Sequence, residues 1–342
     1  MNSHQDIKTR QRFFQATGLT GCYDSTGAAV DCLGSGQDAE YSRGGPWPSP
    51  RFDRGDAGVV IDRLTGLEWT ADASPAVYPM TWIESLDFIR DLNQSRHLGH
   101  DDWRLPNRRE MRSLISHGAR NPALPPDHPF ESLVVNWYWT STTSARATGY
   151  AWYVHMAGGR MFYGRKDGAY MLWPVRGASD VIPRTGQRRC FDLNGETADC
   201  AGTGQDGEIR AGAAWPEPRF ETMNGEVLDR LTGLVWHRDA DLTKGPCTWD
   251  RALEAVRKLG MESGRDWRLP NINELESLVD ASESDPALPA GHPFEAVSQA
   301  YWSSTTSYFE PDWSYCLYMH KGAVGVGHKP GPEFAAWPVR DS

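Results

Sequence analysis

The chain has 342 residues, and because one domain usually spans about 100–200 residues, two domains are expected. Its 35 basic and 45 acidic residues give a net charge of −10 and form no basic run, which disfavours nucleic acid and anionic membranes as partners. No stretch reaches the roughly 18 apolar residues that cross a bilayer, so membrane insertion is not predicted. The 34 glycines, 23 prolines and 15 tryptophans are typical of a loop-rich fold with aromatic cores.

The sequence contains two copies of one unit. Cys22 and Cys32 recur as Cys190 and Cys200, and many longer strings, from W-P-x-P-R-F to the closing W-P-V-R, recur at nearly constant offset. These repeats predict two tandem domains joined by a short linker, so that the two copies touch. The predicted boundaries are an N-terminal extension at 1–18, a first repeat at 19–178, a linker at 179–188 and a second repeat at 189–342.

Each repeat begins with a hairpin that carries its two cysteines. In the second repeat, a three-residue loop at 194–196 predicts a register that places Cys190 opposite Cys200, within disulfide reach. The first repeat has the same spacing. We therefore expect one disulfide in each hairpin, with four reduced cysteines in a cytoplasmic protein as the alternative.

The rest of each repeat predicts a strand, two helices and several more strands. The string G-x-V-x-D-R-L-T-G-L-x-W alternates like a half-buried strand with a turn. Thr81 and Thr248 stand at the N-cap of a first amphipathic helix, and Asn107 and Asn271 cap a second. W-[TS]-S-T-T, an aromatic alternation and W-P-V-R follow as strands. The predicted class is α+β, with a mixed or antiparallel sheet.

Together these motifs resemble a known family. T-G-L-x-W, D-W-R-L-P-N-x-x-E-[LM]-x-S-L, Y-W-[ST]-S-T-T and W-P-V-R are similar to the C-terminal domain of the Legionella collagen-like protein. The resemblance implies two tandem C-type-lectin-like domains, each with two helices and a small mixed or antiparallel sheet, in an exported bacterial binding or adhesion module. It also implies a fold related to the formylglycine-generating oxidases and to the variable receptor domains of diversity-generating retroelements.

The two remaining cysteines, Cys247 and Cys316, occur only in the second repeat. The aligned residues of the first repeat are Met80 and Tyr153, so both cysteines are absent together, as a third disulfide would require. We therefore predict a disulfide between Cys247 and Cys316. Two lone buried thiols, or a copper-binding pair of the kind that the related oxidases use, stay open as alternatives.

Arginines recur in two motifs of both repeats, but those on the second helix occur only in the first repeat. Arg104 and Arg268 of D-W-R-L-P-N, and the arginines of W-P-V-R, are expected to form structural ion pairs with Glu110 or Glu274. On the second helix three arginines of the first repeat are replaced in the second, which we interpret as drift on a solvated face. The aligned pairs are Arg108 with Ile272, Arg109 with Asn273, and Arg112 with Glu276.

The segment before each W-P-V-R differs most between the repeats, and it is the predicted ligand face. On a period of two, Trp152, Val154 and Met156 turn inward, with Tyr315, Leu317 and Met319 in the second repeat, whereas the alternate residues, Cys316 among them, turn outward. Exposed aromatic, arginine and histidine side chains carry binding energy at interfaces. The candidate ligand-binding residues are Arg146, Tyr150, Tyr153, His155, Arg160, Tyr163, Arg165, Tyr308, Phe309, Glu310, Asp312, Trp313, Tyr318, His320, Lys321 and His328.

No cofactor is predicted, and calcium is left open. Glu310-Pro311-Asp312 resembles the sugar-binding triplet of calcium-dependent lectins, although the first repeat has no equivalent. The oxygen-bearing side chains of the second hairpin have an oxygen-rich spacing without the EF-hand pattern; they are Asp192, Asn194, Glu196 and Asp199.

These patterns predict a binding protein rather than an enzyme. We find no G-x-S-x-G, H-E-x-x-H, C-x-x-C or phosphate-binding glycine loop. The predicted protein binds a carbohydrate or protein ligand at the cell surface, in the periplasm or outside the cell, on the assumption that a leader has been removed. Two alternatives are a copper or redox enzyme that uses Cys247 and Cys316, and a structural subunit of a surface or phage-like appendage. The sequence does not predict the oligomeric state.

Overall fold

The computed structural model describes residues 13–55 and 58–342. The first 12 residues of the predicted N-terminal extension lie outside this part of the chain. The two repeats have the same order of elements, and short helices alternate with antiparallel strands, which confirms the α+β class and the tandem arrangement. In the described residues, no helix has the length and hydropathy needed to cross a membrane.

The elements of the first repeat follow the predicted order. They are β1 (Cys22–Tyr23), β2 (Ala29–Val30), α1 (Asp38–Tyr41), β3 (Phe52–Arg54), β4 (Val59–Asp62), β5 (Glu68–Thr70), α2 (Trp82–Gln94), a 3-10 helix (His97–Gly99), α3 (Arg108–Ser113), β6 (Trp137–Thr143), β7 (Tyr150–His155), β8 (Met161–Arg165) and β9 (Val175–Arg176).

The second repeat has the same elements except for the 3-10 helix. They are β10 (Cys190–Phe191), β11 (Thr197–Ala198), α4 (Asp206–Ile209), β12 (Phe220–Met223), β13 (Glu226–Asp229), β14 (Leu234–His237), α5 (Trp249–Ser263), α6 (Ile272–Ser277), β15 (Tyr301–Thr306), β16 (Trp313–Tyr318), β17 (Ala323–His328) and β18 (Val339–Asp341).

Side-chain caps fix where the main helices begin. The Thr81 hydroxyl accepts from the Glu84 amide, and the Asn107 side chain accepts from the first turn of α3. Glu110 completes the capping box of α3 and is also held by a buried pair of bonds from Arg104, with a shortest distance of 2.6 Å. The second repeat repeats this arrangement, so the predicted structural ion pairs are confirmed for Arg104 and Arg268. Arg176 and Arg340 instead pair with Glu68 and Glu226.

Two kinds of sheet build the core. Each repeat has its own four-stranded antiparallel sheet, β3-β4-β5-β9 or β12-β13-β14-β18. A six-stranded sheet, β15-β16-β17-β8-β7-β6, is shared, because Val324 of β17 pairs with Met161 of β8 across the two repeats. One buried cluster runs beneath this sheet and contains residues of both repeats, so the repeats share a core.

The segments that carry the cysteine pairs are exchanged between the repeats. We name residues 20–45 the first cystine segment and residues 188–213 the second. Asp38 of the first segment accepts a hydrogen bond from Thr305, at 2.8 Å, and Asp206 of the second accepts one from Thr142, at 2.7 Å. The first cystine segment therefore packs on the second repeat, and the second cystine segment packs on the first repeat.

The divergent arginines of α3 lie in the contact between the repeats. Arg108 and Arg112 are buried, and the Arg112 guanidinium donates to Glu276 of α6 at 2.9 Å. Arg109 donates to the Val279 carbonyl at 2.7 Å. The interpretation as drift on a solvated face is therefore wrong, because the two aligned helices face each other and carry complementary charges.

The cysteines correct two predictions. Cys22–Cys32 and Cys190–Cys200 form disulfides, with Cα atoms 5.3 and 5.2 Å apart. The predicted register is wrong by two residues, since Cys190 pairs with Ala198 and a tighter turn holds the loop. The predicted third disulfide is also wrong, because Cys247 and Cys316 are free. Their thiols have different partners: Cys247 contacts the Phe334 carbonyl at 3.6 Å, and Cys316 interacts with the Tyr318 hydroxyl.

Candidate functional site

The shared sheet has one face in the core and one face that is only partly covered. Trp152, Val154 and Met156 of the first repeat are buried, as their alternation predicted, and so are Tyr315, Leu317 and Met319. On the other face, α2 and α5 cover the two ends, where Trp139 and Trp302 lie in separate apolar clusters. Cys316 belongs to this covered region and is buried, so the prediction that it turns outward to solvent is wrong.

A run of half-buried aromatic side chains crosses the middle of this outer face, and we name it the aromatic strip. Trp137 lies 4.3 Å from Tyr153, 4.6 Å from His155 and 6.3 Å from Phe162, measured between ring centroids. Phe162 continues to Tyr318 of the second repeat at 6.2 Å, and Tyr318 to His320 at 6.0 Å. The strip is defined by Trp137, Tyr153, His155, Phe162, Tyr318 and His320, all half-buried.

Glycines in neighbouring strands let the rings lie close to the sheet. A Cβ atom at Gly164 would lie 2.3 Å from the Tyr153 ring, and one at Gly325 would lie 2.6 Å from the Tyr318 ring. Only glycine leaves this space, because real Cβ atoms do not approach other atoms so closely. The two tyrosine rings therefore pack directly against the backbone of β8 and β17.

Partial burial shifts the pKa values of the polar groups in the strip. Desolvation raises the pKa of Tyr153 to about 12, and it lowers the pKa of His155, so Tyr153 is a neutral phenol and His155 a neutral imidazole at pH 7. The Lys321 ammonium lies 4.7 Å from the centroid of the Tyr318 ring and 5.4 Å from that of Phe162. The strip thus combines apolar ring faces with hydrogen-bonding groups and one cation.

Three of the predicted residues meet instead at the junction of the repeats. Arg160, Phe309 and Glu310 line a cavity of about 100 Å³ together with Gly158 and Tyr315. The Tyr315 hydroxyl, in the second repeat, donates to the Gly158 carbonyl, in the first. This small cavity is separate from the aromatic strip and is formed by both repeats.

Other predicted residues lie beside the exchanged hairpin. Asp312 pairs with His328 at 3.6 Å, and the rings of Trp313 and His328 are 5.3 Å apart. The backbone of Asp312 approaches Gly27 of the first cystine segment closely, since a Cβ atom at Gly27 would lie 3.0 Å from the Asp312 amide nitrogen. Tyr308 is exposed in the same loop. The Glu310–Asp312 loop therefore supports a contact with the cystine segment.

The remaining predicted residues lie near the start of β7 and the end of β8. The Tyr150 and Tyr163 rings are 5.9 Å apart, and Tyr163 also packs on Trp152 at 5.1 Å. Arg165 pairs with the neighbouring Asp167 at 2.7 Å, and Arg146 with Asp285 of the second repeat. None of these four is part of the aromatic strip.

The oxygen-rich hairpin of the second repeat uses its carboxylates for its own turn. One Asp192 oxygen accepts from the amides of Asn194 and Glu196, at 2.9 and 2.8 Å, and Asp199 accepts from the Ala201 amide. Among residues 13–55 and 58–342, no three His, Cys, Asp or Glu side chains are grouped so that they could hold a metal ion.

Two residues of the strip were not predicted. Trp137 stands just before the recurring W-T-S-T-T string and aligns with Ala300, and Phe162 aligns with Gly325. In both cases the first repeat has a large aromatic side chain where the second has a small residue. Trp137 lies on β6, at the edge of the shared sheet, and Phe162 lies on β8, which pairs with β17 at its centre. This divergence between the repeats was the signal that could have identified them.

Comparison with known proteins identifies the family. No curated protein matches this chain. The sequence pattern of the Lcl C-terminal domain matches residues 58–176 and 225–340, which together make up more than half of the chain. The matched regions contain the main helices and the strands of the shared sheet, and they leave out both cystine segments. As its motifs predicted, the chain belongs to the Lcl C-terminal domain family, with two tandem copies of the domain.

Proposed function

We propose that the protein is a bacterial surface or secreted binding module, C-type-lectin-like in fold, that holds a carbohydrate chain on the aromatic strip. The observation that carries the proposal is the continuity of the strip across both repeats, from Trp137 to His320, through ring contacts of 4.3–6.3 Å. Two disulfides are compatible with an oxidising compartment outside the cytoplasm.

The chemistry of the strip favours sugars over peptides. The C–H groups on one face of a sugar ring carry small positive charge and pack on the electron-rich face of an aromatic ring. Sugar hydroxyls also need donors and acceptors, which the Tyr153 hydroxyl, the His155 ring and the Lys321 ammonium supply at the edges of the strip. The net charge of −10 favours a neutral glycan over a polyanionic one.

A glycan array with the purified full-length chain tests this proposal. We expect saturable binding of a defined set of glycans, with affinity reduced at least tenfold by Trp137→Ala and by Tyr318→Ala, because each variant removes one stacking surface. Tyr308→Ala is the matched control, since Tyr308 is exposed but lies outside the strip, and its affinity should be unchanged. The absence of glycan binding, or equal binding by all three variants, would contradict the proposal.

The same variants distinguish the carbohydrate proposal from the alternative that the protein is a structural subunit of an appendage. If the strip is covered by a neighbouring chain in an appendage, the wild-type protein should associate at high concentration, and Tyr318→Ala should abolish that association. Sedimentation of the wild type and the variant over a range of concentrations measures this. A protein that is monomeric throughout would support the carbohydrate proposal.

The copper or redox alternative depends on Cys247 and Cys316. Both thiols are free, as that alternative requires, but burial raises the pKa of each above its usual value. We therefore expect that alkylating reagents modify neither thiol in the native protein and both thiols after unfolding, measured as intact mass. Rapid modification of the native protein, together with tight Cu(I) binding, would support the enzyme alternative instead.

A further inference from the structure

The two repeats differ in how they cover the tryptophan of D-W-R-L-P-N. In the first repeat, the 3-10 helix lies on Trp103, whose indole N–H donates to the His97 carbonyl at 2.9 Å. Leu98 of the same segment fills the space above Gly58, where a Cβ atom would lie 3.5 Å away. The second repeat lacks these three residues, because α5 runs to Ser263 and only 264–266 precede the aligned Trp267.

The missing segment leaves open space beside Trp267, although the Trp267 side chain itself is buried. A cavity of about 640 Å³ and another of about 520 Å³ are both lined by Trp267 and Arg265. A Cβ atom at Gly225, which aligns with Gly58, would meet no atom within 4 Å. The larger cavity lies within the range of about 300–1,000 Å³ that is usual for small-molecule sites.

The exchange of cystine segments completes the larger cavity. One wall is formed by the first cystine segment, through Gly36, Tyr41 and Arg43. In the sequence this segment belongs to the first repeat. On the side of α5, the accessible apolar lining consists of Leu253, which is half-buried, and Met261, which is exposed. A ligand in this cavity would therefore contact both repeats.

Among the described residues, the polar lining of the larger cavity offers one guanidinium group without an ion-pair partner. Four guanidinium groups line it, whereas Asp266 is the one carboxylate there among the described residues. Three of them are engaged, because Arg43 pairs with Asp341, Arg265 with Glu226, and Arg268 with Glu274. Arg257 forms no ion pair within the part of the chain that the structure describes, and its side chain is exposed. A guanidinium has five N–H donors and no acceptor, and it binds a carboxylate through two parallel bonds.

We propose that the larger cavity beside Trp267 binds an organic carboxylate whose apolar body packs between α5 and the first cystine segment. Arg257 receives the carboxylate, and Leu253 and Met261 of α5, with Tyr41 of the first cystine segment, receive the apolar body. The site lies on the second repeat and is completed by the first cystine segment, and it is distinct from the aromatic strip.

Calorimetric titration of the full-length chain with 4-phenylbutyrate tests this site. We expect saturable binding of one molecule per chain, and at least tenfold weaker binding by 4-phenylbutanol, which keeps the body without the charge, and by inorganic phosphate, which keeps a charge without the body. A short peptide that ends in phenylalanine, compared with its C-terminal amide, shows whether a chain terminus is also accepted as the carboxylate source.

Matched variants locate the binding. Arg257→Ala should weaken phenylbutyrate binding at least tenfold. Arg90→Ala, at the aligned position of α2, should leave it unchanged, because Arg90 pairs with Asp87 and does not line the larger cavity. Insertion of His-Leu-Gly between Ser263 and Gly264 restores the covering segment and should also abolish binding. Tyr318→Ala, in the strip, should have no effect. Failure of phenylbutyrate to bind, or equal binding by Arg257→Ala, would overturn the proposal.

Discussion

At the scale of single residues, two buried lysines, one in each repeat, bind the exchanged hairpins. Lys166 is buried, lies 4.2 Å above the Trp82 ring and donates to the Phe191 and Asp192 carbonyls at 3.0 and 3.1 Å. Lys329 occupies the equivalent place in the second repeat, over Trp249. Burial lowers the pKa of Lys166 to about 7 and that of Lys329 to about 8.

These lysines predict that stability rises with pH just above neutrality. A lysine whose folded pKa lies below its unfolded value binds more protons in the unfolded chain than in the folded one. The free energy of unfolding therefore increases towards pH 10.5, from about pH 7 for Lys166 and from about pH 8 for Lys329, by roughly 1 kcal/mol per pH unit for each lysine. Lys166→Met should flatten this rise between pH 7 and 8.5, measured by chemical denaturation. Lys258→Met, at an exposed lysine, should keep the wild-type slope, and an unchanged slope in Lys166→Met would contradict the assignment.

At this scale the sequence predicted part of the candidate site. The period-two alternation correctly separated Trp152 and Val154 from Tyr153 and His155, because side-chain direction in a strand is a local property. It did not show that the strip continues into the second repeat at Tyr318, since the pairing of β8 with β17 joins residues far apart in sequence.

Among the secondary-structure elements, the contact of α3 with α6 distinguishes the two repeats from each other. Arg108 and Arg112 both approach Glu276, at 3.7 and 2.9 Å, in a buried setting. The Arg108 guanidinium also lies 4.0 Å above the Trp152 ring. Two first repeats would bring arginines together here, so the observed pairing of unlike repeats is the one in which the charges match.

Removal of the shared acid tests this contact. Glu276→Gln leaves two buried guanidinium groups without their carboxylate, so we expect a loss of about 3 kcal/mol in the free energy of unfolding, measured in urea. Glu295→Gln removes the exposed partner of Arg238 and should cost less than about 1 kcal/mol. Similar losses in the two variants would show that the buried pair contributes little.

The sequence identified the elements better than their contacts. Caps and periodicity located α2, α3 and their counterparts because these signals lie within one turn of the helix. The hairpin register was missed by two residues, since the Asp192 side chain organises a turn that the cysteine spacing does not reveal. The buried face of α3 was missed because its arginines are satisfied by the other repeat.

At the scale of the whole molecule, the exchange of the cystine segments ties the repeats together. Asn271 donates to the Arg43 carbonyl and Asn107 to the Ala211 carbonyl, at 3.2 and 3.3 Å, so the same contact is made twice in opposite directions. Sequence repetition predicted two copies, but it could not show which copy each segment contacts, because the equivalent residues of either copy offer the same groups.

This exchange predicts that an unbroken chain between the repeats is not needed to hold them together. Gly177 and Ala178 are exposed, so a protease site inserted between them should be cut in the folded protein. After complete cutting, confirmed on a denaturing gel, the two halves should still elute as one species from a sizing column. Separate elution of the halves at micromolar concentration would show that the exchanged contacts are weak.

The exchanged segments also constrain the order of events during synthesis. The first cystine segment emerges early from the ribosome, yet Tyr23 and Asp24 receive their hydrogen bonds from Lys329, which is 306 and 305 residues later in the chain. Contacts at such sequence separations form slowly. Neither half has its complete set of partners until nearly the whole chain exists, so chains truncated within the second repeat would expose an undocked hairpin and become targets for proteolysis.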